Sequence, residues 1–213
     1  MAEKMKRRRL LGVMAGVAAI ATTTVLAGGA SAQAATAKTV PVTWAHQTQQ
    51  YNCGPAATRI AISTHLRGAS LPSMATIGAY EGTSSSTGTD RYHVRKGLAH
   101  WVPSASYEVV SIAHQGGYFT AAEARLFHDH LVFDVNRESP AVVNIVVERG
   151  GIRPPGWTNT GAVDHWVVVN GYDGKGNVLV TDPASTGHGF NPHPSYWVPL
   201  GTLDKLVRKT YIW

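Results

Sequence analysis

The chain has 213 residues, with 19 Lys and Arg against 13 Asp and Glu, a formal net charge of +6 and a single cysteine. Five of the cations and one acidic residue lie within residues 1–32, so the rest of the chain carries a formal charge of only +2. That remainder has no basic run, which excludes the usual signature of a nucleic-acid-binding protein. Its length of about 180 residues suits one domain with a hydrophobic core.

Residues 1–32 are typical of a secretory signal peptide. A cationic start that includes Arg7-Arg8-Arg9 precedes an Ala-rich apolar run over 10–27 and the small residues Ala30-Ser31-Ala32. This order predicts export and cleavage. An uncleaved membrane anchor is the alternative, because the apolar run approaches the length of a membrane span. The adjacent arginines leave both the general secretory and the twin-arginine route open.

A lone cysteine follows in the predicted mature chain, where a polar linker over 33–39 leads to one domain over 40–213. Exported small domains usually carry cysteines in even numbers, so Cys53 is either an inert buried residue or a working thiol. Asn52 is expected to open a helix at Cys53, with Pro55 in its first turn. The positive end of a helix lowers the pKa of a thiol, which favours a nucleophile.

The remaining elements change from helical to extended along the chain. We expect, in order, a loop over Gly82–Thr89, a helix capped by Asp90, a helix with a capping box of Thr120 and Glu123, a strand over Ala141–Val147 and a hairpin from His165 to Val180. Helices first and strands second predict an α+β domain with a largely antiparallel sheet. The cysteine helix would then pack on a C-terminal sheet.

The hairpin is predicted to align one histidine with one aspartate. A turn centred on Asp173-Gly174 places Val169 opposite Val178 and His165 opposite Asp182. Facing residues have Cβ atoms about 4.5–5.5 Å apart, close enough for a carboxylate to reach an imidazole. The other carboxylates are poorer partners, since Asp164 points to the opposite face and Asp173 lies in the turn. A bulge would shift this register by one residue, and an ordinary hairpin with solvated polar ends is the alternative.

A thiol, an imidazole and a carboxylate together can perform nucleophilic catalysis on a carbonyl carbon. His165 would take the proton of Cys53, and Asp182 would fix the tautomer and orientation of the imidazole. The developing oxyanion needs donors, and the backbone N–H of Cys53 is one. By chemistry alone, three upstream side-chain amides are candidates for the other: Gln47, Gln49 and Gln50.

Two segments carry recognisable motifs. The first is Val40-Pro-Val, then Gln47, then Asn52-Cys-Gly-Pro-Ala-Ala57, and the second is His165-Trp-Val-Val-Val-Asn-Gly-Tyr-Asp173, followed by Thr181-Asp-Pro183. These segments resemble the bacteriocin-processing-like cysteine peptidases, family thirty-nine of the papain-like clan. The resemblance covers roughly 40–207 and is specific around 40–62 and 163–184. It implies a papain-like fold and a catalytic set of Cys53 as nucleophile, His165 as base, Asp182 as its orienting group and Gln47 as oxyanion donor.

The substrate follows less directly from this resemblance. The best-known members are fused to membrane exporters and cut leader peptides after paired glycines, whereas this chain has its own export signal, so that specificity is not expected. The chain is similar to the stand-alone secreted branch of these bacterial enzymes. We expect a monomeric thiol protease acting on a peptide or protein, without a cofactor, nucleic acid or, after signal cleavage, a membrane. A peptidoglycan amidase, an acyltransferase and a non-catalytic binding module are the alternatives.

Two further features complete the sequence predictions. The Gly/Pro-rich loop over 150–161 is expected to wall the substrate cleft, with Trp157 and Trp166 as candidate substrate contacts. His128-Asp129-His130 is the obvious candidate for a metal, but residues two apart on a helix do not share a face. We therefore expect a solvated helix end there and no metal site.

Overall fold

The computed structural model describes residues 36–66, 68–112 and 117–213. The predicted signal peptide and residues 33–35 of the predicted linker lie outside the described residues, so cleavage and export stay predictions. Among the helices within those described ranges, none has the length and apolar character needed to cross a membrane.

The described chain alternates helices and strands in an α+β arrangement, as predicted. The helices are α1 (Cys53–Ile62), α2 (Met74–Glu81), α3 (Arg91–Trp101), α4 (Ala121–Asn136) and α5 (Leu200–Leu206). The strands are β1 (Lys38–Thr39), β2 (Val109–Ser111), β3 (Ala141–Val147), β4 (Val163–Tyr172), β5 (Asn177–Thr181), β6 (Ser195–Pro199) and β7 (Thr210–Ile212). The predicted strand over Ala141–Val147 therefore has the correct bounds.

The strands form one antiparallel sheet in the order β2-β7-β3-β4-β5-β6, and β1 pairs with the end of β4. Lys38 and Thr39 lie opposite Tyr172 and Gly171, so the end of the predicted linker is in fact part of the sheet. This pairing ties the start of the domain to the strand that carries His165.

Side chains of the central strands alternate between two hydrophobic clusters, one on each face of the sheet. Val143 packs with Phe127 of α4 on one face, and Val142 packs with Val168 and with Ile60 of α1 on the other. Helices cover both faces, which explains why β3 is an almost continuous apolar run rather than an alternating one. The cysteine helix α1 lies against β4 and is thus held next to the histidine strand.

The predicted helix starts are present, with one difference at α1. Asp90 accepts hydrogen bonds from the first-turn backbone of α3, and Thr120 with Glu123 forms the capping box of α4. Asn52 precedes α1 as predicted, but its side chain makes no capping hydrogen bond. The first turn of α1 therefore lacks that side-chain cap.

The register predicted for the β4–β5 hairpin is wrong. Asp173 Oδ1 accepts the backbone N–H groups of Lys175 and Asn177, and the N–H of Asp173 donates to the carbonyl of Asn177. The turn thus contains three residues, with Gly174 and Gly176 at positive φ, and its centre moves to Lys175. A bulge then falls at Asn170 in β4.

The turn and the bulge together move the pairing by two residues. Val169 lies opposite Val180 instead of Val178, so continuing this register places Val167, not His165, opposite Asp182. On the His165 side of the bulge the even shift keeps the side chains on their predicted face, whereas an odd one would have reversed them. Between the bulge and the turn the shift is three residues, and Tyr172 lies on the same face as Val169. His165 becomes the diagonal neighbour of Asp182, and the imidazole still reaches the carboxylate, with Nε2 2.8 Å from Oδ1.

Candidate active site

The start of α1 meets the start of β4 at a thiol, an imidazole and a carboxylate. Cys53, His165 and Asp182 are all buried, and Asp182 is 0% exposed. His165 donates from Nε2 to Asp182 Oδ1, and the imidazole lies close enough to the thiol of Cys53 for each group to shift the pKa of the other. Since Nε2 is engaged by the carboxylate, Nδ1 is the nitrogen left for the thiol.

The electrostatics of this group favour charge separation. Burial alone would raise the pKa of the Cys53 thiol, but the hydrogen bond and charge of His165, with the backbone N–H groups of Trp166 and Gly54, hold it below its ordinary value. Burial would likewise lower the pKa of His165, but the charge and hydrogen bond of Asp182, and then those of Cys53, raise it. A lowered thiol pKa beside a raised imidazole pKa produces a thiolate–imidazolium pair.

The carboxylate of Asp182 is surrounded by donors. Oδ1 also accepts the backbone N–H of Ala184 at 2.8 Å, and Oδ2 accepts from the hydroxyl of Tyr196 at 2.9 Å and from the indole of Trp157 at 3.2 Å. Burial would raise the pKa of Asp182, yet the charge of His165 and these hydrogen bonds keep it below its ordinary value. Asp182 is therefore an anion in the interior of the protein.

The two tryptophans named as substrate contacts lie in different places. Trp166 lines a cavity beside Cys53, and its indole donates to the carbonyl of Thr89 at 3.0 Å. Trp157 is buried beside Asp182 and His165, with its ring centroid 5.9 Å from that of His165, and does not line that cavity. The roles of Trp157 as a substrate contact and of the 150–161 loop as a cleft wall stay predictions. Sequence spacing gave no signal for the hydroxyl of Tyr196.

The segment that carries Gln47 is fastened to the turn that carries Asp182. The indole of Trp44 donates to the carbonyl of Asp182, and the backbone N–H of Gln47 donates to the carbonyl of Pro183, both at 2.9 Å. Gln47 is half-buried, and its Oε1 is buried without a hydrogen-bond partner among the described residues. Gln50 is exposed and lines the cavity beside Cys53.

The cavity beside Cys53 has a volume of about 510 Å³ and a wall with both polar and apolar parts. The hydroxyl-rich segment 85–89 forms one side, and Asn144, Asp164 and Lys209 contribute to another. Lys209 donates to Asp164, which also accepts from the amide of Asn144 at 2.7 Å. Such a wall presents hydrogen-bonding groups to a ligand that approaches the thiol.

Close packing fixes the loop side of this cavity against the cysteine helix. A Cβ on Gly54 would lie 2.7 Å from Cβ of Thr89, so only glycine lets Thr89 pack this closely beside Cys53. Thr89 also accepts the indole of Trp166 through its carbonyl. The cavity wall and the nucleophile are therefore one packed unit.

Comparison with known proteins identifies the family. A sequence model described as the Peptidase_C39 like family matches residues 39–201, a range that includes Cys53, His165 and Asp182. The chain belongs to this family. It is a C39-like cysteine peptidase, as the motifs predicted, although the secreted branch stays a prediction. A search of curated proteins finds no match.

Comparison with solved structures finds chains that are similar to this C39-like peptidase. A putative C39-like peptidase from Bacillus anthracis aligns with a TM-score of 0.51 and 11% identity, covering 84% of this chain and 97% of that one. The peptidase domain of ComA from Streptococcus, a bi-functional ABC transporter, aligns at 0.48 and 16%, covering 82% and 96%. Xylellain, a cysteine protease of Xylella fastidiosa, aligns at 0.47 and 13%, covering 84% and 85%. The likeness to the Bacillus anthracis structure supports the predicted α+β papain-like fold.

The histidines considered for a metal lie within α4 and not at its end. His128 contacts Asp204 at 2.8 Å, and His130 contacts the hydroxyl of Tyr211 at 2.9 Å and stacks on Trp213. Both are half-buried, so the predicted solvated helix end is wrong. Within the described residues, no group of three or more His, Cys, Asp or Glu is arranged to hold a metal ion.

Proposed function

We propose that this C39-like peptidase is an exported enzyme that hydrolyses peptide bonds through Cys53, His165 and Asp182. Cys53 is the nucleophile, His165 the general base and acid, and Asp182 the group that orients the imidazole. The observation that carries the proposal is the burial of the thiol beside the imidazole and of the hydrogen bond from the imidazole to the carboxylate, with the pKa values of Cys53 and His165 displaced in opposite directions.

The proposed reaction assigns one group to each step. The thiolate of Cys53 attacks the carbonyl carbon of the substrate, and the C=O π electrons move to the oxygen. The oxyanion is stabilised by the backbone N–H of Cys53 and the side-chain amide of Gln47. As the oxyanion collapses, the C–N bond breaks and the amine leaves with the proton of the His165 imidazolium. Neutral His165 then takes a proton from a water molecule as its oxygen adds to the thioester carbonyl. The C–S bond breaks, the carboxylic acid leaves, and the thiolate of Cys53 beside the His165 imidazolium is restored.

Gln47 is proposed over its neighbours because two hydrogen bonds, from the indole of Trp44 and from the backbone N–H of Gln47, hold its segment against the Asp182 turn. Gln50 lines the cavity but is exposed, and a mobile side chain makes a weak oxyanion donor. Replacing Gln47 with Ala is expected to lower kcat about 10²–10³-fold, as loss of one oxyanion donor does. Gln50→Ala is the matched control, and an equal loss in both variants, measured as initial rates on one peptide, would remove Gln47 from the mechanism.

The substrate is proposed to lie in the cavity beside Cys53. Hydroxyls of segment 85–89 and the Asn144–Asp164–Lys209 group favour polar residues next to the scissile bond over large aliphatic ones. Stem peptides of peptidoglycan, which carry free amino and carboxyl groups, fit this wall and form the second candidate substrate. Export is proposed on the sequence pattern of residues 1–32, and a monomer without cofactor completes the proposal.

The proposal is tested with the exported protein purified from its culture medium. We expect a peptide library digested by the wild type to show new termini by mass spectrometry, with polar residues enriched beside the cut. Cys53→Ala is expected to give none. A parallel digest of purified peptidoglycan separates the two substrate classes. Fragments that persist in Cys53→Ala, or digests without any cleavage by the wild type, would contradict the proposed hydrolysis.

A further inference from the structure

Two buried rings donate to the carboxylate oxygen of Asp182 that His165 does not use, and one of them, Trp157, also lies 5.9 Å from the His165 ring between centroids. The hydroxyl of Tyr196 donates to Oδ2 at 2.9 Å, and the indole N–H of Trp157 is shared between that oxygen, at 3.2 Å, and the hydroxyl oxygen of Tyr196, at 3.1 Å. The proton of the hydroxyl is thus directed at the carboxylate while its oxygen accepts from the indole. Tyr196 and Trp157 are thus neighbours of the Cys53–His165–Asp182 group and not members of it.

These donors decide the state of a carboxylate that has no access to water. A buried carboxylate without donors favours its neutral form, and each hydrogen bond to the charged form opposes this. Hydrogen bonds to a charged group contribute roughly twice as much as bonds between neutral groups. With Ala184 on Oδ1 and two rings on Oδ2, the carboxylate keeps its charge and has no free oxygen that would favour rotation away from His165.

The position of Trp157 is fixed by its own loop and not by the carboxylate alone. Phe190 packs against the indole in an edge-on arrangement, with ring centroids 4.6 Å apart. The amide of Asn191 donates to the carbonyl of Pro155 at 2.7 Å, and a Cβ on Gly156 would lie 2.5 Å from that amide nitrogen. The indole is therefore held in place by packing and hydrogen bonds on either side of it.

Tyr196 is fixed independently by a strand. It is central in β6, where it lies opposite Val180 of β5, and its ring is buried in the hydrophobic cluster that includes Trp157. The neighbouring Thr181 and Ser195 side chains share a hydrogen bond at 2.8 Å across the same two strands. Two separate segments thus deliver donors to one oxygen atom, which is more than packing alone requires.

We propose that Tyr196 and Trp157 are positioning residues that hold Asp182 ionised and turned toward His165, and so maintain the Cys53–His165 ion pair. This inference rests on the proposed function, since it assigns a role only if that ion pair carries the reaction. The two residues act through Asp182 and do not touch the substrate. The 150–161 loop and the edge strand β6 thereby become part of the catalytic support of this peptidase.

The test removes one hydroxyl at a time. Tyr196→Phe deletes the donor to Asp182, and Tyr172→Phe is the matched control, because Tyr172 is equally buried, 6% against 7% exposed, and donates at the same 2.9 Å distance, but to Asn136. The readout is the rate of alkylation by iodoacetamide against pH, which reports only Cys53 because the chain has one cysteine. In the acidic part of the profile, where the rate follows the thiolate fraction, Tyr196→Phe is expected to react about tenfold more slowly than the wild type.

Each outcome of this test decides one claim. A profile displaced to higher pH in Tyr196→Phe and in Trp157→Phe, with Tyr172→Phe superimposed on the wild type, supports the inference. If the pH profiles of Tyr196→Phe and Tyr172→Phe both match that of the wild type, or both shift by the same amount, the inference is overturned and the proposed function stands. A wild-type thiol of ordinary reactivity that is indifferent to His165→Ala overturns the proposed function first. If Tyr196→Phe does not fold, Trp157→Phe decides.

Discussion

Among the residues that the structure describes, three carboxyl groups are completely buried, 0% exposed, and two of them, Asp182 and Glu81, are in opposite states. Asp182 receives donors on both oxygens, and its pKa lies below the ordinary value despite burial. Glu81, the last residue of α2, has Oε1 bonded to Thr58 at 2.6 Å and Oε2 without a partner among the described residues. Burial, only partly offset by Thr58, raises the pKa of Glu81 to about 8. The charge of His165 and the number of donors, and not burial, separate the anion from the neutral acid.

The surroundings of Glu81 suit a neutral side chain. It packs against Gly97 of α3 so closely that a Cβ there would lie 2.3 Å from Oε1, which makes Glu81 a spacer between α1 and α3. The negative charge of the Cys53 thiolate also disfavours ionisation of Glu81. A group kept neutral in this way supports the fold near the site, whereas Asp182 supplies charge to the site itself.

The largest expected effect comes from removing the charge of Asp182. Asp182→Asn keeps the volume but presents an amide to the Nε2–H of His165, and the loss of the anion lowers the pKa of the imidazole. We expect kcat/KM for a cleaved peptide to fall about 10²–10⁴-fold. Activity within tenfold of the wild type would show that the ionised carboxylate is dispensable.

The second effect concerns stability at Glu81. Because its folded pKa is raised to about 8 from the ordinary 4.5, the folded state holds a proton that the unfolded state has lost between these values. The wild type should therefore lose stability as pH rises from 4.5 to 8, and Glu81→Gln should not. The free energy of unfolding of Glu81→Gln minus that of the wild type is expected to be about 1–3 kcal/mol larger above pH 8 than at acidic pH.

Urea unfolding at an acidic and at an alkaline pH measures this change in stability. Glu148→Gln is the control, because Glu148 is 63% exposed in its side chain and pairs with Arg208 at the surface. Parallel pH dependences of wild type and Glu81→Gln would contradict the assignment of a neutral buried acid.

The smallest effect is expected at a third buried carboxyl, Asp134 of α4. Burial raises its pKa to about 7, but Arg137 donates to Oδ1 from Nε at 3.2 Å and offsets part of that penalty. The wild type should lose about 1 kcal/mol of its free energy of unfolding at this residue as the pH rises from about 4 to 7, and Asp134→Asn should not show this loss. The same urea series measures this difference. A pH-dependent change in stability larger for Asp134→Asn than for Glu81→Gln would contradict the expectation that the Arg137 donor makes the effect at Asp134 smaller.

The sequence predicted local features better than contacts between distant segments. The strand over Ala141–Val147, the caps at Asp90 and Thr120 and the helix at Cys53 depend on neighbouring residues, and the structure has all of them. The hairpin register depended on the Asp173 side chain, which extends the turn, and on a bulge that no alternation pattern marks. Both escaped a prediction based on the Asp-Gly step alone.

The hydrogen-bond donors around Asp182 could not be predicted from the sequence either. Its two ring donors come from residues 25 and 14 positions away in the sequence, and their directions depend on the packing of a loop and an edge strand. Trp157 was therefore interpreted as a substrate contact, because a tryptophan in a loop before the histidine strand gives no sign of which side it faces. The pairing of His165 with Asp182 was found because an even shift of register preserves the face.

The ion pair between Cys53 and His165 is tested most directly by the ultraviolet absorbance of the thiolate across pH, in the wild type and in His165→Ala. The wild type is expected to show a thiolate that protonates well below the ordinary thiol range of about 8.5. In His165→Ala the buried thiol should protonate at or above that range, because burial then acts without the imidazolium. Coincident titrations of the two proteins in the ordinary range would contradict the account.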